Sequence, residues 1–202
     1  KCQSITISGP MNAEDCQTIR DNMGNLTEIN IADATFGEDQ LPDRAFYNMP
    51  LVSTVTLPLT LKVVGESALA QMAQLEEVLL GSQVTKICDS AFAQSSRLTK
   101  LSPMPALTTI GAYAFKECVA LASFPWPETL TTLGMESFSG SGLTEVRLPN
   151  VAVVPSTCFA SCKALAKVYL GAKTTEVMYG AFAQCTALTD ITVEAVQPPK
   201  AH

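Results

Sequence analysis

The sequence predicts a right-handed α/β solenoid, in which about seven units of about 23 residues stack behind an irregular N-terminal cap. Three observations indicate this fold. A short motif ending in phenylalanine recurs at a nearly constant interval, and apolar residues keep fixed positions between its copies. Of the 202 residues, 47% are hydrophobic, which is enough for a large core. Because one unit cannot bury its apolar residues alone, the copies are expected to stack into a continuous core.

The cap comes first in the chain and does not follow the repeat. Residues 5–7 indicate a strand, and residues 26–31 (LTEINI) indicate a degenerate first strand of the stack. Between them, Asn12 is placed to cap a helix that runs to Asn22, with Asp15 at the third helical position. We expect this segment to cover the N-terminal end of the core.

One position in each unit, which we call the marker, defines the period. Its occupants are Phe46, Leu69, Phe92, Phe115, Phe138, Phe159 and Phe182. Successive markers are 23 residues apart, except that the fifth unit is short and its interval is 21. A leucine follows each marker by five or six residues, and the set is Leu51, Leu75, Leu98, Leu121, Leu143, Leu165 and Leu188. This period, with its L-x-x-V-x-L core, lies in the range of leucine-rich repeats.

A short strand is expected after each marker, because apolar residues two apart alternate with polar ones. The residues expected to point inward are Val55, Leu57, Val78, Leu80, Leu101, Pro103, Phe124, Trp126, Val146, Leu148, Val168, Leu170, Ile191 and Val193. Two prolines flank Trp126, so the strand ladder is expected to be irregular there. We therefore predict one domain, with a cap over residues 1–40, repeats over 41–196 and a tail over 197–202.

Composition and charge disfavour several function classes. The net charge is −6 and no basic run stands out, which disfavours nucleic-acid binding. No apolar run approaches the roughly 18 residues that predict a membrane span. The only histidine is His202, so a nucleophile–base pair cannot be assembled. We expect no enzyme, no metal site and no cofactor.

Seven cysteines are an odd number, so at least one thiol has no partner within the chain. Cys118, Cys162 and Cys185 follow their markers by three residues, where other units have Met72, Ser95 and Ser141. A position that accepts these residue types is expected to be a small-to-medium buried slot, and its cysteines are expected to be free thiols. Bridges between Cys162 and Cys185, or between Cys2 and Cys16, are the alternatives.

The stretch IGAYAFKECVALASFPWPETLTTLG, which starts at Ile110, resembles the BspA-type leucine-rich repeat, whose unit reads roughly I-G-x-x-A-F-x-x-C-x-x-L-x-x-V-x-L-P. The resemblance covers about residues 41–196. It implies an exported or surface-attached bacterial protein without catalytic residues. Members of this family are associated with adhesion to host proteins and to other bacteria.

The outward face of the stacked strands is the expected binding surface, since solenoids use such extended faces. Its residues are Glu77, Leu79, Lys100, Ser102, Ser123, Pro125, Glu145, Arg147, Lys167, Tyr169, Asp190 and Thr192. We expect a monomer that recognises a host matrix protein or a bacterial surface protein. The alternatives are a carbohydrate-binding module that uses Trp126 and Tyr169 in one groove, and a structural spacer.

Overall fold

The computed structural model of the chain describes residues 2–195 and 199–201, which form a parallel β-solenoid. Most units contribute a turn around the marker, then a strand of one sheet, then a two-residue strand of a second sheet; the unit around Phe115 lacks the strand of the first sheet. The predicted repeat solenoid is confirmed. It is mostly β-structure, because helix is confined to the cap in the described part of the chain. Of the predicted tail, 197–202, residues 199–201 are described and include a short strand, Lys200–Ala201, whereas the other three lie outside the described residues, as does Val196 at the end of the predicted repeats.

The cap contains helix α1 (Ala13–Asn22) and a 3-10 turn at Gly37–Asp39. The strands in chain order are β1 (Ser4–Met11), β2 (Glu28–Phe36), β3 (Gln40–Leu41), β4 (Thr54–Thr56), β5 (Val63–Val64), β6 (Glu77–Leu79), β7 (Lys86–Ile87), β8 (Lys100–Leu101), β9 (Thr109–Ile110), β10 (Thr132–Leu133), β11 (Glu145–Leu148), β12 (Val153–Val154), β13 (Lys167–Leu170), β14 (Glu176–Val177), β15 (Asp190–Val193) and β16 (Lys200–Ala201).

These strands form two long faces, each of which is interrupted once. The first face has the strand order β1-β2-β4-β6-β8 and continues after a gap as β11-β13-β15. The second face has the order β3-β5-β7-β9-β10 and continues as β12-β14-β16. The strands pair in parallel and in register, so that Val55 lies beside Val78 and Val78 beside Leu101. Equivalent residues of successive units therefore stack in columns.

The cap is joined to the first face by hydrogen-bonded strands. The Asn12 side chain accepts hydrogen bonds from the backbone N–H groups of Glu14 and Asp15, at 2.7 and 3.1 Å. Asp15 in turn accepts from the Asn12 N–H at 2.9 Å, so the predicted helix cap is confirmed. Strand β2 continues to Phe36, beyond the predicted segment 26–31, because its second half pairs with β1, up to Met11 beside Phe36.

The marker residues form the centre of the core. Phe92, Phe115 and Phe138 are fully buried and stack with ring centroids 5.0 Å apart at each step. Leu51 does not belong to this core, because it is 48% exposed. Val52, six residues after the marker, takes its place, as the sixth residue does in the other full-length units.

Three residues that were expected to point inward are exposed. Pro103 lies beyond the end of β8, where the alternation stops, and Met104 is buried instead. Ile191 and Val193 are 52% and 40% exposed, because the described residues place no further repeat over β15. A residue at an inward position of the alternating pattern is therefore buried only where the strand is regular and another unit covers it.

All seven cysteines are free, including both pairs considered for bridges. The three cysteines that follow their markers share one contact. Each Sγ donates a hydrogen bond at 3.1 Å to the carbonyl of the preceding marker, and the pairs are Cys118 with Phe92, Cys162 with Phe138 and Cys185 with Phe159. Ser95 makes the same bond to Leu69 at 2.8 Å. Where the slot holds serine or cysteine, the side chain can therefore satisfy a carbonyl of the preceding unit, whereas Met72 fills the same slot without a donor.

Candidate binding surface

The predicted binding face is divided into two patches by a break in the first sheet. Regular pairing stops after β8 and resumes at β11, and residues 111–131 form no strand. This interval contains Pro125 and Pro127, so the predicted irregularity around Trp126 is confirmed. We name the side bordered by β6 and β8 the β8 groove, and the outer surface of β11, β13 and β15 the basic–aromatic patch.

The β8 groove has a volume of about 490 Å³. Its lining residues are Glu77, Leu79, Thr99, Lys100, Leu101, Ser102, Pro103, Ser123, Phe124 and Pro125. Six of the twelve residues predicted for the face are among them, namely Glu77, Leu79, Lys100, Ser102, Ser123 and Pro125. Leu79 is 42% exposed, so the groove offers an apolar wall between charged residues.

The basic–aromatic patch brings the other six predicted residues together in two rows. The strand register places Glu145, Lys167 and Asp190 side by side in one row. It places Arg147, Tyr169 and Thr192 in the second row. The side-chain charges of the first row therefore alternate in sign from one strand to the next.

Within the second row, Arg147 and Tyr169 form one unit. The Arg147 guanidinium lies over the Tyr169 ring, 5.0 Å from its centroid. The same guanidinium approaches the Glu145 carboxylate at 3.2 Å, and both side chains are exposed. These contacts hold the arginine above the aromatic ring while leaving it accessible to a partner.

A second groove of about 320 Å³ borders the patch. Its lining residues are Trp126, Glu128, Arg147, Pro149, Asn150, Tyr169 and Glu194. A hydrogen bond with Glu194 raises the pKa of the Tyr169 hydroxyl. The Asn150 amide donates to the Glu128 carbonyl oxygen at 2.8 Å, which orders the opposite wall.

Sequence reasoning missed Glu128, Asn150 and Glu194 as groove residues. Glu194 follows Thr192 by two positions, so it is the next outward position of the last strand, and continuing the alternation would have included it. Asn150 and Glu128 lie in connections between strands, and no periodic signal marks them.

Trp126 belongs both to the core and to this groove. It is half-buried, and its ring lies 4.7 Å from that of Phe124 and 5.1 Å from that of Phe138, measured between centroids. The predicted inward orientation is therefore only partly realised. Trp126 and Tyr169 nevertheless line the same groove, which is the arrangement that a carbohydrate-binding module needs.

The described residues show no group of three or more histidine, cysteine, aspartate or glutamate side chains arranged to hold a metal ion. In the same part of the chain, no helix is long and apolar enough to cross a membrane. The cysteines are buried or half-buried except for Cys2. Burial raises the pKa of both Cys118 and Cys158 to about 12, which keeps these thiols protonated and weakly nucleophilic at neutral pH.

Comparison with solved structures supports the fold. A leucine-rich repeat protein from T. pallidum superposes with a TM-score of 0.60 at 20% identity, over 82% of this chain and 69% of that one. The pneumococcal vaccine antigen PcpA gives a TM-score of 0.52 at 19% identity, over 94% of this chain and 50% of that one. At these identities the likeness shows a shared fold only. Comparison with curated proteins gives no match.

The sequence itself matches the model of the BspA type Leucine rich repeat region over residues 16–141 and 108–197, with 6 copies. These ranges include the strands of both patches and most of the cap. Such repeat proteins are generally non-enzymatic. The chain belongs to the BspA-type leucine-rich repeat family.

Proposed function

We propose that the chain is a non-enzymatic recognition module, exported to the surface of a bacterium, which binds a protein through the outward face of its first sheet. The ligand would be a host matrix protein or a surface protein of another bacterium. The observation that carries this proposal is the basic–aromatic patch, where Arg147 lies over Tyr169 beside a row of alternating charges. Arginine and tyrosine are enriched where proteins dock.

The geometry of the patch favours binding because its backbone is already ordered. Each of its three strands pairs with a neighbour over four residues, and the inward residues of β11 and β13 (Val146, Leu148, Val168 and Leu170) are buried. A partner therefore meets side chains whose backbone needs no further ordering, which lowers the entropic cost of association. The alternating charges match a partner with both signs better than a polyanion.

A binding screen with a matched variant tests this proposal. The chain and a triple variant, Arg147→Ala, Lys167→Ala and Tyr169→Ala, would be screened against host matrix proteins and bacterial surface proteins. We expect a protein ligand whose affinity falls at least about tenfold in the variant, which corresponds to about 1.4 kcal/mol. Circular dichroism would confirm that the variant remains folded. Ligands that bind both forms equally would rule out the basic–aromatic patch as the binding site. If no protein in the screen binds, a structural spacer would be favoured.

A carbohydrate-binding function is the second candidate, because Trp126 and Tyr169 line one groove with Glu128, Asn150 and Glu194. Aromatic rings that present an apolar face beside hydrogen-bonding groups suit a sugar ring. Trp126 is the only tryptophan, so its fluorescence reports on this groove directly. A glycan array combined with tryptophan quenching tests the candidate. Glycan binding without any change in fluorescence would exclude this groove as the site.

A further inference from the structure

The break after β8 leaves backbone groups without the partners that the other units provide. Between β6 and β8, the Glu76 carbonyl accepts from the Lys100 N–H at 3.1 Å, and the Val78 carbonyl accepts from the Ser102 N–H at 3.3 Å. One unit later, the equivalent acceptors are the carbonyls of Thr99 and Leu101. The equivalent donors are Ser123 and Pro125.

Pro125 explains why this step of the ladder fails. Proline has no backbone N–H, so it cannot donate to the Leu101 carbonyl as Ser102 donates to Val78. Among the described residues, no backbone hydrogen bond joins residues 99–102 to residues 122–125. Strand β8 is therefore an edge strand in the interior of the solenoid face.

This edge opens into the β8 groove rather than into a packed interior. Thr99 and Ser123 are exposed, and Leu101 and Ser102 are half-buried. All four line the groove of about 490 Å³. Unpaired strand edges of this kind are templates for pairing with another chain.

We propose that the β8 groove binds an extended peptide segment of a partner protein, which adds to the first sheet by pairing with the edge of β8. This inference rests on the protein-recognition function proposed above and names the form of the ligand. The carbonyls of Thr99 and Leu101 are two residues apart, and they match N–H groups at alternate positions of an extended chain.

The side chains around the edge define which peptide fits. Leu79 and Pro103 supply exposed apolar surface, and Glu77 and Lys100 add one charge of each sign. An extended segment with apolar side chains at alternate positions would place them on this apolar surface while its backbone pairs with β8. A sugar would not offer donors at the fixed two-residue spacing of a peptide.

Peptide selection followed by backbone methylation tests the proposal. A phage library of ten-residue peptides would be selected on the chain, and the best binder would be synthesised with N-methyl groups at odd or at even positions. Methylation removes N–H donors from one side of an extended peptide only. We expect one phase to lower affinity at least about tenfold and the other to change it by less than about twofold. Equal effects of the two phases would overturn the proposal.

A substitution in the chain itself tests independently whether the peptide pairs with β8. Pro125→Thr restores the missing N–H, which allows the chain itself to pair with β8 and close the edge. We expect the selected peptide to lose at least about tenfold in affinity for this variant. Pro105→Thr is the matched control, because Pro105 is exposed and outside the groove lining. Peptide binding unaffected by Pro125→Thr would also overturn the proposal.

The two proposals fail separately. The triple variant of the basic–aromatic patch leaves the residues of the β8 groove unchanged, and Pro125→Thr leaves the patch residues unchanged. A protein ligand lost only in the triple variant would support the patch and contradict the peptide groove. The reverse result would support the groove alone.

Discussion

Cys118 and Ser95 occupy equivalent positions and perform the same structural role. Each lies three residues after its marker, is fully buried, and donates a hydrogen bond to the carbonyl of the preceding marker, at 3.1 Å for Cys118 and 2.8 Å for Ser95. Ser95 thus makes the same bond with a hydroxyl that Cys118 makes with a thiol, so the hydrogen bond at this position does not require a thiol.

Two substitutions of Cys118 separate the contribution of its hydrogen bond from that of its size. Cys118→Ser keeps a donor of similar size, so we expect it to change the free energy of unfolding little. Cys118→Ala removes the donor and should lower that free energy by about 1 kcal/mol more than the serine variant does. Urea unfolding of the two variants measures the difference. Equal destabilisation by both would show that the hydrogen bond contributes nothing.

The buried thiols also predict a loss of stability at alkaline pH. Burial raises the pKa of Cys118 and of Cys158 from 9.0 to about 12, so the folded state retains protons that the unfolded state releases. Below pH 9 both states hold these protons and the free energy of unfolding is unaffected. Between about pH 9 and pH 12 it should fall, by at most about 1.4 kcal/mol per pH unit for each thiol.

Urea unfolding midpoints measured from pH 7 to pH 11 would show this dependence. The double variant Cys118→Ser and Cys158→Ser provides the control, because serine does not ionise in this range. We expect a shallower decline in the double variant, and identical slopes would contradict the prediction.

At the scale of the elements, the turn around each marker repeats with the same backbone geometry. Tyr113 and Glu117, two residues before and after Phe115, both have φ of 59°, in the left-handed region. The Phe115 N–H donates to the Ser137 carbonyl of the next unit at 2.7 Å. The cost of left-handed backbone is thus offset by hydrogen bonds between units and by the packed marker column.

Phe115 is the marker whose replacement should affect this column most. It stacks on Phe92 and Phe138 and also packs edge-to-face with Phe124, with the two ring centroids 5.3 Å apart. Phe115→Ala would leave a cavity among these rings and should lower the free energy of unfolding by about 3–5 kcal/mol. Phe115→Leu should cost clearly less, since Leu69 fills the marker position fully buried. Thermal and urea unfolding measure both, and a leucine variant as unstable as the alanine variant would contradict this account.

At the scale of the whole molecule, the two ends of the core differ. The N-terminal end is covered by the cap, and Ile29 and Ile31 of β2 are fully buried. At the other end of the first face, Ile191 and Val193 of β15 remain exposed. Stability in a solenoid is a sum of unit and neighbour terms, so a strand with one neighbour is expected to open more readily than one with two.

Hydrogen exchange should therefore vary along the stack. We expect backbone amides in Asp190–Val193 to exchange faster than those in Glu77–Leu79, because β6 lies between two strands and Val78 is fully buried. Hydrogen–deuterium exchange with mass spectrometry resolves these segments. Equal protection of β15 and β6 would mean that the chain opens as one cooperative unit.

Periodic and local signals were sufficient to predict the architecture. The marker spacing predicted the period and stacking of the units, and Asn12 with Asp15 predicted the helix start. The proline pair around Trp126 predicted the break in the ladder. Each of these depends on residues close in sequence or on a repeated pattern, which stacking then converts into columns.

The sequence by itself thus determined the repeat solenoid, its aliphatic and phenylalanine core, and the face on which the outward residues of the strands lie. Only the tertiary structure decided that this face is divided in two, that Glu128, Asn150 and Glu194 join Arg147 and Tyr169 around a groove, and that Ile191 is exposed. The physical reason is that these groove residues come from different turns of the solenoid. Their proximity depends on how the turns stack, and burial depends on whether a further turn lies above.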